Sequence, residues 1–252
     1  MTTMPRKEQL LDLLRSKKKL SNDSMQQFLY CSPATLRRVL IELETEGLIR
    51  RFRGGAMIEI GSNQEVLPQY RDHVLIEEKK HIAEIASNFI GRGMCLFMDA
   101  SSTTKAMVPF IHNIPNLVIV TNGLGLAHEL INKTSYSSKI YLVGGELIRD
   151  AESIVKEFSL PYLHQFNFDL CLFSTTGFDT HAIYEANYYQ AKFKRHLIHL
   201  AKKSIYLSDH TKYSHQHPFI VTSMNKIDVI ISDKKNDELE KASLSLDIEF
   251  LY

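Results

Sequence analysis

The sequence predicts two domains: a small module of three short helices closed by a basic hairpin, then a larger α/β domain on a mainly parallel sheet. Three observations predict this architecture. From residue 73 onward, short apolar runs alternate with amphipathic helical stretches, the pattern of parallel strands joined by crossover helices. Before residue 58 the apolar spacing is helical until a glycine pair interrupts a β-favouring stretch. Charge is also segregated. The first 55 residues hold 11 of the 30 Lys/Arg and 6 of the 29 Asp/Glu, a balance of +5 that leaves −4 for the remainder. A basic module on a near-neutral body suits a polyanionic partner.

Composition excludes several classes. With 44% hydrophobic and 23% charged residues, the chain has ordinary globular character. No apolar run approaches the ~20 residues that span a bilayer, so no membrane partner is expected. "MTTMPRKEQLLDLLRSKKK" lacks the uninterrupted apolar core of a signal peptide. Cys31, Cys95 and Cys171 are odd in number, far apart and without metal-ligand spacing. Buried free thiols in a reducing cytoplasm are the expectation. His210, His215 and His217 lack the Cys or carboxylate that would complete a recognisable metal set. Neither a metal nor a cofactor is expected.

In the first module, "RKEQLLDLLRS" sets Leu10, Leu11, Leu13 and Leu14 on one side of a helix. Ser21 is a good N-cap for a second helix, whose apolar stripe is Met25, Phe28 and Leu29. Ser32 caps a third, with Pro33 in its first turn, where a missing N–H is harmless. Leu36, Val39, Leu40 and Leu43 recur at three- and four-residue steps, so Thr35, Arg37 and Arg38 face away from the core. Gly47 reads as the residue just past the helix end. "LIRRFRGGAMIEI" then reads as a two-stranded hairpin, with Arg50, Arg51 and Arg53 along its first strand and Gly54-Gly55 at its break. Three helices and a basic hairpin make a winged helix-turn-helix. Its third helix reads base edges in the major groove, and its wing grips backbone and minor groove. The expected DNA contacts are Ser32, Thr35, Arg37, Arg38, Arg50, Arg51, Arg53 and Gly54.

"LRRVLIELETEGLIRRFRGGA" closely resembles the N-terminal signature of DeoR-type bacterial transcriptional regulators. Val39 departs from the usual aspartate after the arginine pair, and Arg53 from a common histidine. The resemblance implies a DNA-binding regulator, with double-stranded operator DNA as partner.

"GSNQEVLPQY" breaks the periodicity, giving domain boundaries of 1–58, a linker at 59–72, and 73–252. In the second domain a helix carrying Ile82, Ala83, Ile85, Ala86, Phe89 and Ile90 precedes the strand runs "MCLFM", "LVIV", "KIYLV", "FDLCLF", "SIYL" and "DVIIS". Helical stretches at 101–112, 123–132 and 188–202 separate most of them. Ligands of such sheets bind at strand carboxyl ends. Those ends read Asp99-Ala100-Ser101-Ser102-Thr103-Thr104, Thr121-Asn122-Gly123, Gly144-Gly145-Glu146, Ser174-Thr175-Thr176-Gly177 and Ser208-Asp209-His210-Thr211-Lys212. Each tract alone suits N-capping. Five at one sheet edge favour a polar pocket, with hydroxyls and helix N–H groups offered to an anion.

The same motif order extends the DeoR-type resemblance over nearly the whole chain: Asp99, Ser102 to Thr104, Thr121-Asn122, Gly144-Gly145, Gly177 and Asp179, Lys194-Arg195, and Asp209 with Lys212. It implies a sensor domain similar in fold to sugar-phosphate isomerases and acyl-CoA transferases, with a phosphorylated sugar as effector. The tract Ser101, Ser102, Thr103 and Thr104 would hold the phosphate, Lys194 and Lys212 would supply positive charge, and Asp99 and Asn122 would orient sugar hydroxyls. Gly144, Gly145 and Asp209 complete the implied site, and Lys79 matches a frequent family lysine or is a surface residue. Ser101, Ser174 and Thr176 depart from the family pattern and leave the ligand open. The expected function is a repressor of a sugar-catabolic operon, acting as a dimer or tetramer. Two other readings stand beside it. One is a regulator whose pocket no longer takes a sugar phosphate. The other is an isomerase-type enzyme using Asp99, Glu185, Asp209 and Lys212, disfavoured because a basic wing has no use in isomerisation.

Overall fold

The computed structural model describes residues 6–45, 48–58, 71–148, 152–155 and 160–252. Gly47 and most of the expected linker lie outside them. The chain divides into two compact units, Met1–Val66 and Leu67–Tyr252.

In the first unit, α1 (Arg6–Lys17), α2 (Asn22–Leu29) and α3 (Pro33–Thr45) enclose a core of Leu10, Leu14, Met25, Leu36, Leu40, Leu43 and Ile49. Ser21 caps α2 by accepting from Ser24 N–H at 3.2 Å, and Ser32 does the same for Thr35 N–H at 3.2 Å. One expectation fails. Phe28 is 47% exposed, because it lies about 100° around the helix from Leu29 and off the Met25–Leu29 face that packs inward.

The expected two-stranded hairpin is a three-stranded sheet. Strand β1 (Lys19–Ser21) pairs antiparallel with β3 (Gly55–Ile58), which pairs with β2 (Ile49–Phe52). Three residues between two helices carry too little pattern to announce a strand. The glycine pair does two jobs. Gly54 adopts φ +96°, open to glycine at no steric cost. Gly55 has ordinary φ, but a Cβ there would lie 2.2 Å from the Leu20 carbonyl oxygen of β1.

The second unit is built on seven parallel strands. These are β4 (Cys95–Met98), β5 (Val118–Thr121), β6 (Lys139–Leu142), β9 (Phe168–Phe173), β12 (Ala201–Ser208), β14 (Val229–Ser232) and β15 (Glu249–Leu251). Their order across the sheet is β15-β14-β12-β9-β4-β5-β6. The six expected strand runs fall on six of these, and β15 was not foreseen. Alternate residues serve two separate cores. Leu96, Met98, Leu170, Leu172, Ile205, Leu207, Val229 and Ile231 enter one; Phe97, Cys171, Phe173, Tyr206 and Ile230 enter the other. A strand buried on both faces has no polar alternation, which is why "MCLFM" reads as apolar throughout.

Helices α4 (Ile76–Ser87), α5 (Ser102–Lys105), α6 (Val108–Ile111), α7 (Leu124–Lys133), α8 (Leu160–Leu163), α9 (Tyr188–Leu200) and α10 (Asp237–Leu246) complete the unit. The single helix expected over 101–112 is two short ones, since Pro109 lacks an N–H and its ring crowds the Lys105 carbonyl four residues back. Residues 201–202, expected at the end of a helix, open β12 instead. Two small antiparallel features also escaped the pattern: β7 (Leu147–Ile148) with β8 (Ser153–Ile154), and the sheet of β10 (Gly177–Phe178), β11 (Ala182–Glu185) and β13 (Phe219–Ser223).

The topology places the crevice. From β4 the chain builds outward through β5 to β6, then returns to β9 and builds the other way through β12, β14 and β15. The direction reverses between β4 and β9, and ligands of open α/β sheets bind outside the strand ends at that point.

Gly55→Ala drives a Cβ into β1 and costs the first unit about 2–4 kcal/mol. Gly54→Ala, with nothing within 4 Å, costs only about 1 kcal/mol through its φ. Amide hydrogen exchange across Ile49–Ile58 distinguishes the two: strong acceleration for the first variant, little for the second.

Candidate functional site

Arg37 and Arg38 project from the first turns of α3 and are exposed, as are Arg50, Arg53 and Gly54. Ser32 and Thr35 hydroxyls lie 2.9 Å apart, so Thr35 is drawn into the helix cap. Arg51 is held to α3: its Nε lies 2.7 Å from Glu44 Oε2, and its backbone N–H donates to Glu44 Oε1 at 3.0 Å. That pair fixes the wing against the third helix. The sequence held no sign of it, because seven residues and a turn separate the partners.

At the switch point, Asp99 directly follows β4 and is 1% exposed. Its Oδ1 accepts from the Ser101 hydroxyl at 2.6 Å and the Ser101 N–H at 3.2 Å. Its Oδ2 accepts from Ser174 N–H, at the end of β9, at 3.3 Å and lies 3.1 Å from Lys194 Nζ. Lys194, from α9, also donates to Glu185 Oε1 and to the Ser174 carbonyl, each at 2.5 Å. The Thr104 hydroxyl donates to the Asp99 carbonyl at 2.7 Å. Asp99, Ser101, Thr104 and Lys194 are therefore joined in one buried network with Ser174 and Glu185. Asp99, expected to orient a sugar hydroxyl, is already engaged by Ser101, Ser174 and Lys194.

Beside this network, Lys212 donates to the Ser174 hydroxyl at 2.8 Å and lies 3.5 Å from Asp209 Oδ2. Asp209 caps the turn after β12, accepting from Thr211. Burial raises its carboxyl, but Lys212, the Thr211 hydrogen bond and Lys79 outweigh burial and hold it below the usual carboxylate range. Lys79 is 6% exposed rather than a surface residue. Its ammonium donates to the carbonyls of Arg71 (2.5 Å) and Val74 (2.7 Å). Burial and the neighbouring Lys212 charge pull it down to about 8.

Asn122, at the end of β5, is fully buried, and neither its Oδ1 nor its Nδ2 has a partner; the buried Thr103 hydroxyl is also unpartnered. Ser102 is half-buried on the opening turn of α5, and Gly144 and Gly145 are exposed beyond β6. Sequence reasoning missed Lys105, which ends the hydroxyl tract. Its Nζ lies 2.6 Å from Asp72 and 3.6 Å from Glu129. Burial lowers it, but the two carboxylates outweigh that and raise it. Of the three histidines in the loop, His210 Nδ1 sits 2.6 Å from Asp233 Oδ2, while His215 packs its carbonyl against Gly177.

Lys194→Met leaves Asp99 and Glu185 buried without their shared cation, at a cost of about 3–5 kcal/mol in urea denaturation. Adding Glu185→Met to that variant recovers part of the loss by removing one stranded charge.

The chain is similar to known proteins over most of its length. The pattern of the DeoR-like helix-turn-helix domain matches residues 6–59, and that of the DeoR C terminal sensor domain matches residues 75–234. The glycerol-3-phosphate regulon repressor of Escherichia coli (strain K12) is 30% identical over 226 residues, 89% of this chain and 88% of that protein. The HTH-type transcriptional repressor GlcR of Bacillus subtilis (strain 168) is 29% identical over 225 residues, 89% of this chain and 86% of its own length. Among solved structures, ribose 5-phosphate isomerase from Plasmodium falciparum is similar at 12% identity and TM-score 0.41, over 55% of this chain and 53% of that one. The chain belongs to the DeoR family of DNA-binding transcriptional regulators.

Proposed function

We propose that the chain is a cytoplasmic repressor of a sugar-catabolic operon, working as a homo-oligomer whose hold on its operator is set by a phosphorylated sugar in the switch-point crevice. The observation that carries this reading is Asn122. A fully buried amide with both polar atoms unpartnered, just after β5 and beside the strand that leads into the hydroxyl tract, is missing a polar partner. In this reading Ser101, Ser102, Thr103 and Thr104 receive the phosphate at the start of α5, with Lys212 as counter-charge. Asn122 takes a sugar hydroxyl. Lys194, Asp209 and Asp99 hold the walls in place, and Gly144 and Gly145 leave room beyond β6. On the DNA side, Arg37 and Arg38 enter the major groove, with Ser32 and Thr35 fixing the turn before them. Arg50, Arg51, Arg53 and Gly54 contact backbone and minor groove. Pairing two such modules multiplies specificity, which supports a dimer or tetramer. The relatives are named as regulators, which supports a role without catalysis.

A second reading rests on the self-satisfied network: Ser101, Asp99, Ser174, Lys194 and Glu185 already pair with one another, as in a pocket that has closed on itself. Thermal unfolding against a panel of phosphorylated sugars, glycerol 3-phosphate included, decides between them. The first reading predicts a rise for at least one of them, abolished by Asn122→Ala. No rise with any of them favours the closed pocket.

The pH dependence has a definite sign. An anion in the crevice favours charged Lys79, so binding takes up a proton when Lys79 is held at about 8. Affinity for the phosphorylated sugar therefore weakens as pH rises from 7 to 9, by up to about tenfold. On the DNA side, Arg38→Ala weakens operator binding while leaving the thermal shift intact.

A further inference from the structure

Thr35, Arg37 and Arg38 do not account for the whole outer face of α3. Leu36, Val39, Leu40 and Leu43 form its buried stripe, yet one further apolar residue, Ile41, is 44% exposed. At about 100° per residue, Ile41 lies about 150° around the helix from the middle of that stripe, so the core of the first unit does not take it. It stands instead between the two exposed arginines, about 40° from Arg37 and about 60° from Arg38, and roughly one turn farther along the helix. One turn beyond it, the Thr45 hydroxyl donates to the Ile41 carbonyl at 2.8 Å, so that polar group is spent on the helix itself. Single exposed apolar side chains are common on protein surfaces. This one occupies the middle of the surface that two guanidiniums assign to DNA.

We propose that Ile41 is a specificity-determining residue that reads the C5-methyl group of a thymine in the operator. The inference deepens the reading in which α3 enters the major groove, and it rests on that reading. Base edges in that groove carry donors and acceptors at every pair, and one projecting apolar group, the thymine methyl. An isoleucine pressed against any other edge strips water from polar groups and returns no hydrogen bond. Against the methyl it buries apolar surface on both sides at no such cost. Ile41 therefore favours thymine and penalises the other bases at the same position, attraction and rejection from one side chain. The spacing suits a short word. Ile41 follows Arg38 by about 4.5 Å and Arg37 by about 6 Å along the helix axis, one to two base steps of about 3.4 Å. Arginine takes the paired acceptors of guanine. The expected half-site thus holds a thymine within one or two base pairs of a guanine.

The test deletes one methyl group. A duplex is selected from a random-sequence pool with the full chain, and each of its thymines is replaced in turn by uracil, which lacks only the C5-methyl. Affinities are read by fluorescence anisotropy at one fixed salt concentration. For the wild-type chain one thymine per half-site should stand out, its uracil duplex binding about fourfold more weakly, the worth of one buried methyl-sized group. Ile41→Ala should bind the thymine and uracil duplexes equally, with thermal unfolding unchanged because the residue is exposed. Ile41→Val keeps a branched apolar side chain and should keep the thymine preference. Selection repeated with Ile41→Ala should lose that thymine and retain the guanines beside it. A wild-type chain indifferent to uracil at every position, or an alanine variant that discriminates as the wild type does, overturns the proposal and leaves DNA binding in place. A wild-type chain that selects no sequence from the pool overturns the reading beneath it as well.

Discussion

The second unit depends on one buried ammonium. Lys194 reaches from α9 to the point where strand order reverses, and there meets Asp99, Glu185 and the Ser174 carbonyl within 3.1 Å. Those partners come from the ends of β4, β11 and β9. Burying either carboxylate without a partner would cost several kcal/mol. The ion cluster therefore joins the parallel sheet to the small antiparallel one, and its position coincides with the crevice that topology creates. Structure and candidate site share the same atoms.

Charge accounting explains how such a crevice stays poised. Asp99, Glu185 and Asp209 are offset by Lys79, Lys194 and Lys212, so the formal charge of the group is zero before anything binds. Lys194 is committed to two carboxylates. Lys212 is held more loosely, at 3.5 Å from Asp209 and by a hydroxyl, and Lys79 donates to two carbonyls. In the proposed reading, a phosphate would compete for the less committed cations and leave the first intact. Lys79 and Lys105 also fasten residues 71–74, through the Arg71 and Val74 carbonyls and the Asp72 carboxylate, which places the start of the second unit next to its most adjustable charges.

Much of this was legible in the sequence, for physical reasons that differ by element. Parallel strands with both faces buried appear as bare apolar runs, so β4, β5, β6, β9, β12 and β14 stood out. Polar residues just beyond such runs had to lie at the carboxyl edge, which drew attention to Asp99, Asn122 and Asp209. The glycine pair was visible, but its two separate causes, a positive φ at Gly54 and a carbonyl against Gly55, were not. Short antiparallel strands such as β10 have too few residues to show a period. Lys79 sits in "IEEKKH", a stretch charged enough to read as solvated; its burial depends on carbonyls that only the fold brings near. Asp99 meets Ser174 across 75 residues, a pairing no local pattern contains.

The central claim is that one chain links a crevice to a duplex, and a coupled titration tests it most directly. Operator affinity of the full chain is measured with and without a saturating phosphorylated sugar that binds it. The account predicts a change of roughly 5- to 150-fold, the span of ordinary allosteric coupling. It also predicts a reciprocal change of the same factor in sugar affinity when DNA is present. Equal operator affinity with the crevice filled and empty would contradict it.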